Sequence, residues 1–381
     1  MRTVILSHPK RLVFGNGSSE QLIEDIKAHQ FKNAFVVTVP QIMNSVRHII
    51  EGIEKTGAKV TVDDSIISEP TVETFGRSLE KAAAADTDCV IGIGGGSVLD
   101  VAKLVAAMLH NNQKINDVFG IGLLSGRSTF LACLPTTSGT GSEVSPNAIL
   151  LDESDNLKKG VISPHLLPDA SYVDPKLTLT VPPSVTAATG MDALTHCIEA
   201  YANKFAHPVV DLYALEGIRL ISSSIKKAYD DGSDLEAREK LALGSMFGGL
   251  CLGPVNTAAV HALSYPLGGE FHIAHGLSNA LLLPYVLKFN LPAAPKRYAD
   301  IAAALGADEK DNNADTAKAG IEILKNLAKS CGIPLKLSEI KIPKDSIPRI
   351  AEMALTVQRL LKNNVREVSL EDAVGIYEKA Y

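Results

Sequence analysis

One aspartate and three histidines, Asp192, His196, His261 and His275, have the types and spacing that could hold a metal. A carboxylate and three imidazoles ligate divalent transition cations, and a position left open on such an ion makes it a Lewis acid. Asp192 and His196 stand four residues apart in TGMDALTHCIEAY. On a helix of 3.6 residues per turn that spacing puts them on one face. His261 and His275 lie in VHALSYPLGGEFHIAHGLSNA, where His272 precedes His275 by three residues. Spacing alone leaves either of these two as the last ligand. Each residue taken singly has a plainer reading: His196 and His261 as core histidines, Asp192 as a cap near a helix start. Glu199, three residues past His196, either accepts a hydrogen bond from a ligand imidazole or pairs with a surface base. The remaining histidines, His8, His29, His48, His110 and His165 with His207, show no comparable grouping.

A second constellation lies upstream. The strand-like CVIGI is followed by GGGSVLDVAKLVAAML. Gly94, Gly95 and Gly96 make a tight turn with exposed backbone N–H groups, and Ser97 with Asp100 reads as a Ser-x-x-Asp variant of the capping box. A helix N-terminus behind three glycines suits a pyrophosphate. The pattern departs from G-x-G-x-x-G, because Ser97 stands where the third glycine would be and the turn follows a later strand. In isolation it reads equally as a structural turn. The segment PTTSGTGSEVSPNAI (135–149) follows another buried strand, TFLACL, and its dense hydroxyls and glycines read as a loop lining a cleft rather than a plain surface loop. Glu143 within it is open between roles.

The elements that must position these residues fall into two textures. The first half alternates β-branched runs (34–38, 59–62 and 89–93) with helical patterns (18–29, 43–55 and 72–85). Such alternation predicts a mostly parallel sheet with helices on both faces. The N-terminal MRTVILSHPKRLVFGNG reads as a first strand. After Asp174 the Pro-bracketed LTLTV reads as a connection. Beyond it Ala- and Leu-rich helical segments dominate: 186–203, 208–230, 234–252, 276–290, 293–305 and 314–330. The expected organisation is an α/β domain over 1–184 and an all-α domain over 185–381.

Composition narrows the class. Of the 381 residues 46% are hydrophobic and 21% charged, as in a globular enzyme. The net charge of −6 argues against a nucleic-acid partner, which needs a basic face. Five widely spaced cysteines without a CxxC read as reduced thiols of a cytoplasmic protein. The uncharged run 241–269 is long enough to span a membrane, but Pro254, Asn256 and His261 interrupt it, so it reads as buried helix and no membrane partner is expected.

GGGSVLDVAK (94–103), PTTSGTGSEVSPNAI (135–149), ATGMDALTHCIEAY (188–201) and the H…HG block (261–276) resemble the iron-dependent, group III alcohol dehydrogenases. That family shares a fold with dehydroquinate synthase and glycerol dehydrogenase. The resemblance spans nearly the whole chain, and its nearest branch looks like lactaldehyde reductase and 1,3-propanediol dehydrogenase. It implies a Rossmann-like N-terminal domain and a helical C-terminal domain, with the active site in the cleft between them. It also implies metal ligation by Asp192, His196, His261 and His275, which selects His275 over His272. By the same resemblance Gly94, Gly95, Gly96 and Ser97 hold the cofactor pyrophosphate, and Asp100, Thr136, Thr137, Thr140, Asn147 and Lys159 belong to the cofactor-binding set. A homodimer is implied as well.

Two departures from the family pattern matter. NAD-preferring relatives often carry an Asp at the end of the strand that here reads AFVVTV, where this chain has Val39. Without that carboxylate a 2′-phosphate meets no repulsion, so the cofactor is NAD or NADP. Several relatives have a His where this chain has Tyr265, which leaves His272 and Tyr265 as the residues expected to pass a proton. The implied reaction moves a hydride between NAD(P) and a short-chain alcohol, diol or hydroxyaldehyde such as lactaldehyde. Fe²⁺, or Zn²⁺, would polarise the substrate oxygen. The alternatives are a zinc-dependent polyol dehydrogenase of the glycerol dehydrogenase type, a dehydroquinate synthase-like lyase, and a non-catalytic nucleotide- or metal-binding protein on the same fold.

Overall fold

The structure is a computed structural model that describes residues 2–154 and 157–381. It divides into two compact units, Leu6–Val181 and Pro182–Tyr381, the second joined by the residues before Leu6.

In the first unit the order is β1 (Arg11–Phe14), α1 (Glu20–His29), β2 (Asn33–Val37), α2 (Met43–Lys55), β3 (Lys59–Asp63), α3 (Val72–Ala84), β4 (Cys89–Gly94), α4 (Gly96–Met108) and α5 (Ile115–Val118). Then come β5 (Gly120–Ile121), β6 (Phe130–Pro135), β7 (Asn147–Asp152), β8 (Leu157–Ile162) and β9 (Ala170–Val173). Six strands form one parallel sheet in the order β1-β9-β6-β4-β2-β3. Side chains alternate across it. Val36, Ile91, Ile93 and Leu134 pack with α1 and α2 on one face, while Phe35, Val37, Val90 and Cys133 pack with α3 and α4 on the other. The chain leaves β2 toward β3 and leaves β4 in the opposite direction, toward β6. That reversal opens a crevice at the C-terminal ends of β2 and β4, the place where open α/β sheets take ligands. A smaller sheet, β5-β8-β7, lies apart from the main one, with β7 and β8 antiparallel.

The first strand is shorter than the sequence suggests. It covers only Arg11–Phe14, and Arg2 belongs to the helical unit, where it donates to the Phe205 and Pro254 carbonyls. The antiparallel pair after the 135–146 loop was not anticipated, because its alternation is broken by Lys158, Lys159 and Gly160.

The second unit is helical: α6 (Pro183–Tyr201), α7 (Pro208–Asp230), α8 (Leu235–Leu252), α9 (Ala259–Phe271), α10 (His275–Asn290), α11 (Pro295–Ala304), α12 (Asn313–Ser330), α13 (Ile347–Leu355), α14 (Gln358–Leu361) and α15 (Leu370–Ala380). Pro183 begins α6 at the one helical position where a missing N–H costs nothing. Periodicity alone does not bound α9, since Pro266 and the adjacent Gly268 and Gly269 are breaker signals, yet the helix is buried along most of its length. None of the helices is long and apolar enough to cross a membrane among the described residues, and all five cysteines are buried thiols.

Close approach of α10 to α6 depends on Gly276. A Cβ there would lie 2.2 Å from the Ala188 carbonyl oxygen and 3.2 Å from Asp192 Cβ, against backbone that cannot swing aside. Gly375, inside α15, has open space instead. Gly276→Ala should therefore lower stability by about 1–3 kcal/mol or more, while Gly375→Ala should leave it equal or raise it by about 0.5–1 kcal/mol. Denaturant unfolding of the two variants checks the contrast, and equal midpoints would contradict it.

Candidate functional site

Helix α6 carries Asp192, His196 and Glu199 at i, i+4 and i+7, one face of the helix, and all three are buried. Asp192 Oδ1 is the focus. His261 Nε2 from α9 stands 3.5 Å from it, His275 Nε2 from the first turn of α10 stands 3.7 Å away, and His196 Nε2 3.9 Å. One ligand atom from each of Asp192, His261 and His275 lies within 4.8 Å of the others. The His196 ring stacks on that of His261 with centroids 4.7 Å apart. Donor atoms at ~2.1 Å from one tetrahedral ion stand roughly 3.4 Å from each other, so the separations among Asp192, His261 and His275 suit a shared cation, while His196 falls outside that group. His261 Nε2 is buried without a hydrogen-bond partner, as a nitrogen reserved for a metal would be. The Asp192, His196 and His261 side chains are 3%, 6% and 3% exposed, but His275 is 31% exposed, so solvent reaches the cluster at His275. A site open on one side is the catalytic rather than the structural pattern.

Electrostatics in the cluster follow from burial and proximity. Burial penalises the Asp192 carboxylate, but His196, His275 and His261 more than offset this and hold the carboxyl well below its ordinary range. Burial likewise disfavours a charged His261, yet Asp192 and Glu199 together lift it to about 10. A divalent cation has to displace that proton, so its binding releases a proton and weakens as pH falls.

Glu199 answers the question its spacing left open. Its Oε2 faces His261 Nδ1 at 2.6 Å and accepts the Ala258 N–H at 3.0 Å, while Oε1 accepts the Val260 N–H at 2.6 Å. One carboxylate thus satisfies the orphan N–H groups at the start of α9 and fixes the His261 ring so that Nε2 faces Asp192. Sequence reading missed Asn279. This residue is fully buried on α10, donates to Asp192 Oδ1 at 2.7 Å and lies 3.2 Å from His275 Nε2. Its i+4 spacing from His275 was the available signal.

The glycine turn closes β4 and opens α4. The expected capping box does not form: the N-cap is Gly95, without a side-chain bond. The segment expected as a loop over 135–149 ends in strand β7, and the Asp100 carboxylate bonds both parts, accepting from Ser142 Oγ in the loop at 2.6 Å and from the Ile149 N–H in β7 at 2.9 Å. The completely buried Lys103, unnoticed in the sequence, donates to Ser142 O at 2.9 Å, to Ser142 Oγ at 3.0 Å and to the Asn147 carbonyl. Burial raises the Asp100 carboxyl and lowers the Lys103 ammonium, each opposed by the charge of the other. Glu143 in the same loop is raised to about 7 by burial, opposed by its own backbone N–H and by Lys103. The Asp100 and Lys103 bonds pin the loop onto α4. A Cβ on Gly96 would fall 2.5 Å from Thr140 Cγ2, and one on Gly95 would lie 3.4 Å from Thr137 Oγ1; the Thr136 N–H bonds the Gly94 carbonyl. Gly94–Ser97, Thr136, Thr137 and Thr140 are therefore gathered in one place, and Val39 follows the neighbouring strand β2, packed on its hydrophobic core. Lys159 stands on β8, where it pairs with Asp152 at 2.6 Å.

Of the two residues expected to move protons, Tyr265 has its ring 5.9 Å from that of His275. His272 is exposed and ends α9 in the left-handed region, φ 55°.

A parallel-sheet unit with a glycine turn at its crevice, and a helical unit with a buried carboxylate–imidazole cluster, define a dehydrogenase of the metal-containing kind. The chain belongs to the iron-containing alcohol dehydrogenase family. Residues 9–175 match iron-containing alcohol dehydrogenase, and 186–381 match the C-terminal part of the Fe-containing alcohol dehydrogenase family. The chain is 39% identical over 373 residues to long-chain-alcohol dehydrogenase 1 of Geobacillus thermodenitrificans, covering 96% of this chain and 94% of that one. It is 30% identical over 374 residues to lactaldehyde reductase of Escherichia coli, covering 97% of each. The crystal structure of a 1,3-propanediol oxidoreductase matches it with a TM-score of 0.96 at 31% identity, covering 100% of both chains. The chain is an oxidoreductase acting on alcohols and aldehydes.

If Glu199 fixes His261, Glu199→Gln should weaken metal binding roughly 10- to 100-fold, because the amide presents N–H toward donors it cannot bond. Chelator competition measures this. An unchanged dissociation constant would remove Glu199 from the role.

Proposed function

We propose that the chain catalyses NAD(P)-linked interconversion of a short-chain alcohol, diol or hydroxyaldehyde, of the lactaldehyde and propanediol kind, with its carbonyl or carbinol partner. The observation that carries this is the convergence of three imidazole Nε2 atoms on one buried carboxylate oxygen, with solvent access at His275. Asp192, His196, His261 and His275 would hold Fe²⁺, or Zn²⁺, whose chemistry when bound is to polarise the substrate oxygen, while NAD(P) exchanges the hydride.

The chain's own residues supply binding and order. Gly94, Gly95, Gly96 and Ser97 offer backbone N–H groups at the start of α4 to the cofactor's pyrophosphate. Asp100 and Lys103 keep Thr137 and Thr140 against that turn by holding Ser142, and so act by positioning. Val39 presents no carboxylate at the end of β2, which admits a 2′-phosphate. Tyr265, beside His275, and the exposed His272 carry the proton at the open side. A cytoplasmic setting is supported by five buried thiols without a disulfide, and a homodimer by likeness to the branch.

Protein purified without oxygen, stripped of metal and resupplied with Fe²⁺ or Zn²⁺, should regain NAD(P)H-dependent reduction of short aldehydes. His275→Ala should lose metal and turnover together with its unfolding midpoint little changed. Full turnover by metal-stripped His275→Ala protein would overturn the proposal.

A further inference from the structure

Arg359 is a half-buried cation without a carboxylate. It belongs to α14, a single turn against α9. Its Nη2 donates to the Tyr265 phenol oxygen at 2.8 Å, and its guanidinium carbon lies 5.7 Å from the Tyr265 ring centroid. Among the described residues its side chain makes no other hydrogen bond or ion pair. Other part-buried arginines are neutralised: Arg127 by Asp169 and Arg297 by Asp211. Tyr265 in turn stands 5.9 Å, ring to ring, from His275, the most exposed member of the metal cluster. Two contacts of less than 6 Å each thus link Arg359 to the open side of the cluster.

A guanidinium carries five N–H donors in one plane and accepts nothing. With one donor committed to Tyr265, the others are available to oxygen acceptors. A divalent ion on the cluster would add like charge nearby, which an anion on the substrate would offset. We infer that Arg359, with Tyr265, determines substrate specificity: it takes an oxygen substituent borne by the carbon chain of a short aldehyde. An anionic carboxylate or sulfonate should be preferred over a neutral hydroxyl, because charge-assisted hydrogen bonds are about twice as strong as neutral ones. The inference rests on the proposed function, since it places the substrate at the open side of the metal cluster.

The test compares kcat/KM of the metal-loaded enzyme and its variants on propanal, lactaldehyde, succinic semialdehyde and sulfoacetaldehyde. Arg359→Leu should lose about 10- to 100-fold on either or both anionic aldehydes and less on lactaldehyde, with propanal within about twofold. Metal content should not change, and Arg359→Lys should recover part of the loss on the anions. An equal loss on all four aldehydes, propanal included, would mean that Arg359 only supports Tyr265 and would overturn the inference. Unchanged kinetics on all four would overturn it too. If the native protein reduces none of the four, the proposed function itself has failed, and the two outcomes are distinguishable.

Discussion

A carboxylate sealed inside a helical core must be compensated where it lies, and the helical unit is arranged around that requirement at Asp192. The side chain is 3% exposed, and its partners are three imidazoles and one amide. Each partner arrives on a different device. His196 comes by helical spacing on α6 itself, and His261 by a helix start that Glu199 caps. His275 and Asn279 come on a helix that Gly276 lets approach within backbone contact. Removing one partner of such a cluster leaves charge uncompensated in a low dielectric, which costs far more than losing a surface ion pair.

The sheet unit solves a different problem by similar means. A loop rich in hydroxyls and glycines has little apolar side chain with which to hold itself against a helix. Asp100 and Lys103, one turn apart on α4, supply buried opposite charges that bond the loop at Ser142 and the following strand β7 at Asn147 and Ile149. The strength of these bonds comes from the same low dielectric that penalises the charges. The segment beside the glycine turn is thus held by hydrogen bonds from buried charged groups as well as by apolar packing.

Much of this was legible in the sequence because it is local. The i,i+4 pair Asp192/His196, the glycine turn before α4 and the alternation of strands and helices each depend on neighbours along the chain. Helix α2 falls on the bounds its periodicity predicted. What stayed hidden depends on distant contacts. Asp100 looked like a cap, since only the fold brings Ser142 and Ile149 to it. Lys103 looked like an ordinary helical lysine. Glu199 stood open between two roles until α9 was placed against α6. The bounds of α9 were obscured by Pro266, whose cost tertiary burial absorbs. The preference for His275 over His272 rests on family resemblance; in the structure His275 begins a helix beside Asp192, while His272 ends one in an exposed left-handed cap.

The central claim is that one cation is shared by four side chains from three helices, α6, α9 and α10. Anomalous X-ray diffraction at the iron edge, on crystals of protein prepared without oxygen, tests it most directly. The account predicts a single strong peak within about 2.0–2.2 Å of an Asp192 oxygen and of Nε2 of His196, His261 and His275. A peak elsewhere in the chain, or one that His272 ligates in place of any of these histidines, would contradict it.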